Sequence, residues 1–204
     1  MKVLISRFTR ASRYLILAAA GLLLLSVTCS AATFSADMIQ SGRGQVLKGK
    51  LYVKGTKVRQ EITAGGRKQA TIFRPDKKLV WLVYPGNKTY MQVTQRVISG
   101  MDDPAARARI KEMSTTKKLG KQTVNGYLCT KTQYITRGGY KYVLTEWYAD
   151  KLKHVIKMEV KSGPQVSVIE YKNIKEGNAP DSLFELPKGY KKIPTPTGPP
   201  VQPR

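Results

Sequence analysis

From Thr33 to Val93 the chain repeats one pattern: six to nine residues of alternating or β-branched apolar character, then a turn signal. The pattern predicts strands at Thr33–Gln40, Gln45–Val53, Lys57–Thr63, Lys68–Phe73, Leu79–Tyr84 and Lys88–Val93. The breaks between them hold Gly or Pro, as in Gly65-Gly66 and Pro85-Gly86-Asn87, where positive φ or a preset φ favours reversal. After residue 118 the pattern returns, predicting strands at Leu119–Val124, Tyr127–Thr136, Tyr140–Tyr148, Lys153–Lys161 and Gln165–Lys172. The first two flank Asn125-Gly126, the strongest short hairpin signal. In Lys153–Lys161, Ile156, Met158 and Val160 oppose Lys157, Glu159 and Lys161, which reads as a half-buried strand. These are about 11 strands of a mainly β, mostly antiparallel domain.

Two segments break the two-residue period. Met101–Met113 opens with Asp102, Asp103 and Pro104, a capping residue and a proline at the first helical position, and continues with helix formers. It predicts one helix of about three turns, with Met101, Ala105 and Ala108 on its packed side and Ile110 and Met113 as further candidates. Asp181–Glu185 reads as a short capped turn that plugs Leu183 and Phe184 into the sheet. Residues 191–204 are too rich in proline to pack and read as a disordered or polyproline tail.

The N-terminus adds an address. Lys2, Arg7, Arg10 and Arg13 precede an apolar run of 11 residues from Leu15 to Leu25, where a bilayer span needs about 20. Residues 1–32 therefore read as a secretory signal, with Ser30 and Ala32 at the positions a signal peptidase reads and a mature chain beginning at Thr33. The alternative is a lipoprotein signal acylated at Cys29, although Ser26, Val27 and Thr28 match that pattern poorly. Cleavage after Ala32 leaves 204 minus 32, or 172 residues, enough for one domain, and leaves Cys129 as the sole cysteine, so no internal disulfide is available. The remaining 32 basic and 13 acidic residues give a charge of +19. Export turns that charge away from nucleic acid and toward an anionic membrane surface or other envelope polyanions, or it serves only for solubility.

The segments FSADMIQSGRGQVLKGKLYVKGTKVRQEI and TIFRPDKKLVWLVYPGNKTYMQ resemble the opening strands of the LolA/LolB-like outer-membrane lipoprotein-carrier superfamily. TVNGYLCTKTQY, TEWYADKLKHVIKMEV and IEYKNIKEGNAPDSLFELPKGYKKI extend the likeness, toward an uncharacterised bacterial branch, over nearly all of residues 33–192. The resemblance implies a half-open antiparallel β-barrel over residues 33–190, a central helix covering an apolar concave face, and a periplasmic location. It makes Asp103, Ala105, Ala108 and Ile110 residues of a lid helix. Trp81, Tyr84, Tyr90 and Trp147 lie in the matching strand segments, and with Met158 they are the candidates for an apolar ligand cavity. The chain has Tyr52-Val53-Lys54-Gly55 where the carrier has an arginine holding its lid.

The catalytic inventory is thin. His154 is the only histidine, beside a turn, and reads as a surface residue. Cys129 reads as a small buried hydrophobe. Asp102-Asp103 reads as a helix cap and not as a metal pair. Eight tyrosines of the predicted strands, with Trp81 and Trp147, are explained mostly by cross-strand packing. No enzyme, cofactor or metal is expected. Three readings stand: a monomeric carrier or chaperone of lipid or an acylated protein, a sensor or interaction module on the same scaffold, and a binder of envelope polyanions.

Overall fold

A computed structural model describes residues 32–94, 108, 111–137, 142–177 and 179–195. Twelve strands form a single sheet: β1 (Thr33–Gly42), β2 (Gln45–Lys54), β3 (Lys57–Ala64), β4 (Arg67–Arg74), β5 (Leu79–Tyr84), β6 (Thr89–Thr94), β7 (Ser114–Val124), β8 (Tyr127–Thr136), β9 (Tyr142–Ala149), β10 (His154–Ser162), β11 (Gln165–Glu176) and β12 (Lys191–Lys192). Their spatial order is β12-β6-β5-β4-β3-β2-β1-β11-β10-β9-β8-β7. Two meanders thus meet where β1 pairs with both β2 and β11, and all pairings are antiparallel except β12 with β6. The terminal strands β12 and β7 do not pair with each other, so the sheet is open.

Tight turns fix the register. At Asn125-Gly126 both residues have positive φ (48° and 84°), the geometry whose twist matches the flanking strands. At Gly49 in β2 a Cβ would lie 2.1 Å from the Glu61 carbonyl oxygen, so no side chain fits. Because directly opposed residues share a face, the register sorts the sheet. Phe34, Leu51, Met158, Ile169 and Tyr171 share what we term the inner face; Ile72, Trp81, Lys50 and Trp147 share the outer one.

The inner-face residues around β1 belong to one hydrophobic cluster, with Phe34 and Leu51 fully buried. On the outer face a second cluster joins Ala70, Ile72, Trp81 and Val83 to Ala179 and Phe184. The turn at Asp181–Phe184 therefore plugs the sheet as its sequence suggests, with Phe184 fully buried, a side chain whose burial contributes about 1.5–3 kcal/mol. It lacks the expected side-chain cap, because Asp181 instead takes ion pairs from Lys54 (2.7 Å) and Lys57 (3.0 Å).

Two departures from the sequence pattern fall at the edges of the sheet. β7 begins at Ser114 and not at Leu119, since Thr115–Lys118 is exposed on both faces and has no apolar alternation to announce it. Lys191–Lys192, assigned above to the tail, pairs with Thr89 and Tyr90 of β6, and the Ile193 N–H donates to the Tyr90 carbonyl at 2.9 Å. Backbone pairing with β6 outweighs the missing apolar pattern there. Residues from Pro196 onward lie outside the described residues, as does the expected signal segment up to residue 31. Of the expected helix, Ala108, Lys111 and Glu112 are helical, and Met113, a candidate for its packed side, is exposed. Met101, Asp103, Ala105 and Ile110 lie outside the described residues.

Candidate functional site

The inner face carries a cavity of about 440 Å³ at its β8–β10 end. Strand alternation builds its walls: Thr130, Thr132 and Tyr134 project from β8, and Glu146 and Tyr148 from β9, paired as Thr132 with Glu146 and Thr130 with Tyr148. The turn into β10 adds Asp150, Lys153 and His154. A bulge between Val155 and Lys157 then resets the alternation, so that Val155 lines the cavity while Lys157 points to the outer face. Ala108 and Lys111 lie over this floor.

Charge and aromatic surface alternate in the cavity. Glu146 is 3% exposed, and Lys111 Nζ sits 3.5 Å from its Oε2 and 5.1 Å from the centre of the Tyr134 ring. The ammonium thus ties Lys111 to β9 through an ion pair and to β8 through a cation–π contact. Thr130 Oγ1 donates to Asp150 at 3.3 Å. His154, expected at the surface, is half-buried and meets Phe34 edge to face with ring centres 5.4 Å apart. The lining sets apolar and aromatic surface beside two lysines and two carboxylates, Lys111 and Lys153 with Glu146 and Asp150, and can accept a ligand with an apolar or aromatic-stacking body and a polar end.

The five cavity candidates read from the sequence do not line one site. Met158 lies on the inner face, 2% exposed within the main cluster. Trp81 and Tyr90 lie on the outer face beneath the C-terminal segment, where the Trp81 indole N–H donates to Gln92 at 3.3 Å. Trp147 is also on the outer face: its indole donates to Gln122 at 2.8 Å, and Lys131 and Lys157 stand 4.8 and 5.3 Å from its ring. Tyr84 lines a separate cavity of about 640 Å³ at the β3–β4 and β5–β6 turns, with Arg67, Lys68 and Pro85, and burial raises its pKa. Of the lid residues, Ala108 does reach the inner-face cavity.

Sequence reasoning missed Lys111, Tyr134, Glu146 and Tyr148. A signal existed for Tyr134, Glu146 and Tyr148, because a hairpin register across the Gly138-Gly139 turn signal sets Thr130, Thr132 and Tyr134 opposite Tyr148, Glu146 and Leu144. Cys129 is fully buried, as its pattern suggests, and burial pushes its thiol pKa up, away from thiolate chemistry. Among the described residues no three of His, Cys, Asp and Glu come together as a metal cluster.

Solved structures share this fold. An uncharacterized conserved protein from Thermus thermophilus aligns at 13% identity over 80% of this chain and 90% of that one, with a TM-score of 0.54. A chain of the Pseudomonas aeruginosa MucA/MucB complex aligns at 12% identity over 76% of this chain and 56% of that one, with a TM-score of 0.51. A LolA superfamily protein from Nitrosomonas europaea also matches, at 13% identity over 77% of this chain and 91% of that one, with a TM-score of 0.39. At such identities the likeness of the first two is one of fold alone. No curated protein matches the chain. The sequence profile described as "Domain of unknown function (DUF4412)" matches residues 37–155, a span that holds every residue lining the inner-face cavity and more than half of the chain, and the protein belongs to that family.

Proposed function

We propose that the protein is an exported, non-enzymatic carrier in the bacterial periplasm that holds an amphiphile, a lipid or the acyl chain of a lipoprotein, in the inner-face cavity. The observation that carries this reading is the lining itself: Tyr134, Tyr148, Val155 and Ala108 offer apolar and aromatic surface, while Lys111, Lys153, Glu146 and Asp150 supply polar partners for a headgroup. The volume of about 440 Å³ falls within the range of small-ligand sites. Each methylene buried there contributes about 0.8 kcal/mol, so one acyl chain needs few polar contacts.

A second reading, a module that binds a protein partner, draws on the centre of the inner face. Phe34, Leu51, Met158, Ile169 and Tyr171 are no more than 3% exposed and leave little room between them for a chain. The MucA/MucB complex shows a protein of related fold bound to another protein.

Native mass spectrometry of the processed protein, purified from bacterial envelopes and followed by lipid extraction, separates the two. The carrier reading expects stoichiometric lipid that survives high salt and is lost in the Ala108→Glu, Tyr148→Glu variant, which puts charge on the apolar lining. A lipid-free protein that also takes up no fluorescent fatty-acyl probe overturns it and leaves the partner-binding reading.

A further inference from the structure

The two ends of the sheet are treated differently. At one end β12 is two residues long and runs into Ile193 and Thr195, which hydrogen-bond back to Tyr90 and Gln92. That is a short, tied edge. At the other end β7 is 11 residues long and pairs only with β8. All residues from Thr115 to Thr123 are exposed, and no described residue pairs with the outer edge of β7 between them. A row of unsatisfied backbone donors and acceptors on such a strand is a template for another strand.

The charge on this edge is one-sided. Lys117, Lys118 and Lys121 stand on it with no acidic residue between Ser114 and Val124, and none of the three forms an ion pair with the described residues. The register places Lys118 opposite Thr132, on the inner face, and Lys117 opposite Gln133, on the outer. Lysines thus flank the open backbone on both faces. A slip between Lys118 and Lys121, with Gly120 at φ 84°, divides the edge into two ladders. The longer ladder runs from Ser114 to Lys118 and is the one bearing the adjacent Lys117 and Lys118.

We propose that β7 is a docking edge that receives an extended acidic segment of a partner protein by β-strand addition. The added strand pairs with Thr115–Lys118 and sets carboxylates against Lys117 and Lys118. A second copy of this chain fits poorly, because β7 against β7 brings lysines together. The proposal is independent of what the inner-face cavity holds.

The probe is a synthetic acidic peptide with an adjacent Glu-Glu pair flanked by valines, so that carboxylates reach both faces, tested against the processed full-length protein beside the same peptide methylated at successive backbone nitrogens. Methylation leaves the charge and side chains in place but removes the donors of a strand. Amide exchange followed by mass spectrometry is expected to slow over residues 114–124 with the unmodified peptide alone. The double variant Lys117→Glu, Lys118→Glu is expected to weaken binding about tenfold or more, in keeping with two exposed pairs turned from attraction to repulsion. Lipid content of that variant, read by native mass spectrometry, is expected to be unchanged, so failure of the cavity reading and failure of this one are told apart. Equal binding of the methylated peptide, protection outside β7, no binding at all, or self-association of the protein through this edge overturns the proposal.

Discussion

At the scale of single residues, one glycine tests the register of the first meander. Gly49 is opposite Ile62 and beside Met38, and a methyl group on it would meet the Glu61 carbonyl at 2.1 Å and the Met38 methyl at 3.0 Å. The carbonyl belongs to the β2–β3 ladder, so relief requires the two strands to separate. Gly49→Ala is expected to destabilise the domain by about 1–3 kcal/mol, which at this size lowers Tm by about 2–4 °C per kcal/mol. Gly86→Ala, with nothing within 4 Å of the added carbon, is the control and should leave the thermal melt unchanged. Equal melting of the two variants would mean that β2 and β3 are not in the register described. The same scale shows where the site was illegible from sequence. Trp81 and Trp147 are aromatic residues in strands, which sequence identifies; their face depends on register, and both occupy the outer one. Tyr134 and Glu146 read as ordinary alternating positions until the β8–β9 pairing puts them under Lys111.

At the scale of elements, the C-terminal segment is attached by charge as much as by packing. Arg74, 4% exposed, forms a bidentate pair with Asp76 (2.8 and 2.6 Å), donates to the Phe184 carbonyl at 2.9 Å and also binds Glu185. Arg59 donates to the Leu183 carbonyl at 3.0 Å, and Lys54 and Lys57 hold Asp181. The hydrogen bonds from Arg74 lower the pKa of Asp76 to about 2 and that of Glu185 below its usual value, and those from Lys54 and Lys57 lower Asp181. A carboxylate whose pKa is depressed by folding contributes stability above its unfolded pKa, and that contribution is lost as pH falls through the folded value. Attachment of residues 179–192 is therefore expected to hold through the ordinary carboxylate range of about pH 4 and to weaken only below it, as Asp181 and Glu185 take up protons. Amide exchange across this segment, together with the fluorescence of Trp81 beneath Phe184, reports it. Release that is flat across that window would assign the attachment to Phe184 packing alone. Most strands were legible because one of their faces is buried, and two of the predicted ranges, Leu79–Tyr84 and Tyr127–Thr136, match β5 and β8. β7 and β12 were partly or wholly hidden because an exposed edge strand has no buried face to impose a period.

At the scale of the whole molecule, the excess of basic residues has two separable consequences. Of the net charge of +23 over the full sequence, +19 remains if the first 32 residues are removed. The acidic residues are largely engaged: Asp37, Asp76, Glu146, Glu159, Glu170, Glu176, Asp181 and Glu185 each take a lysine or arginine, so the surplus is spread over lysines facing solvent, Lys117, Lys118 and Lys121 among them. Such a field acts over about 8 Å at physiological ionic strength and about 3 Å at 1 M. Adsorption to vesicles containing phosphatidylglycerol is therefore expected at low salt and should vanish near 1 M, while neutral vesicles bind nothing at either concentration. A ligand enclosed against Tyr134 and Tyr148 is held mainly by apolar burial, which salt does not screen, so lipid in the cavity should survive the same wash that strips the protein from the membrane. Cosedimentation with vesicles and native mass spectrometry on one salt series measure both. If the two curves fall together, the charge and not the cavity holds the lipid, and the protein is a surface binder of envelope polyanions built on this open sheet.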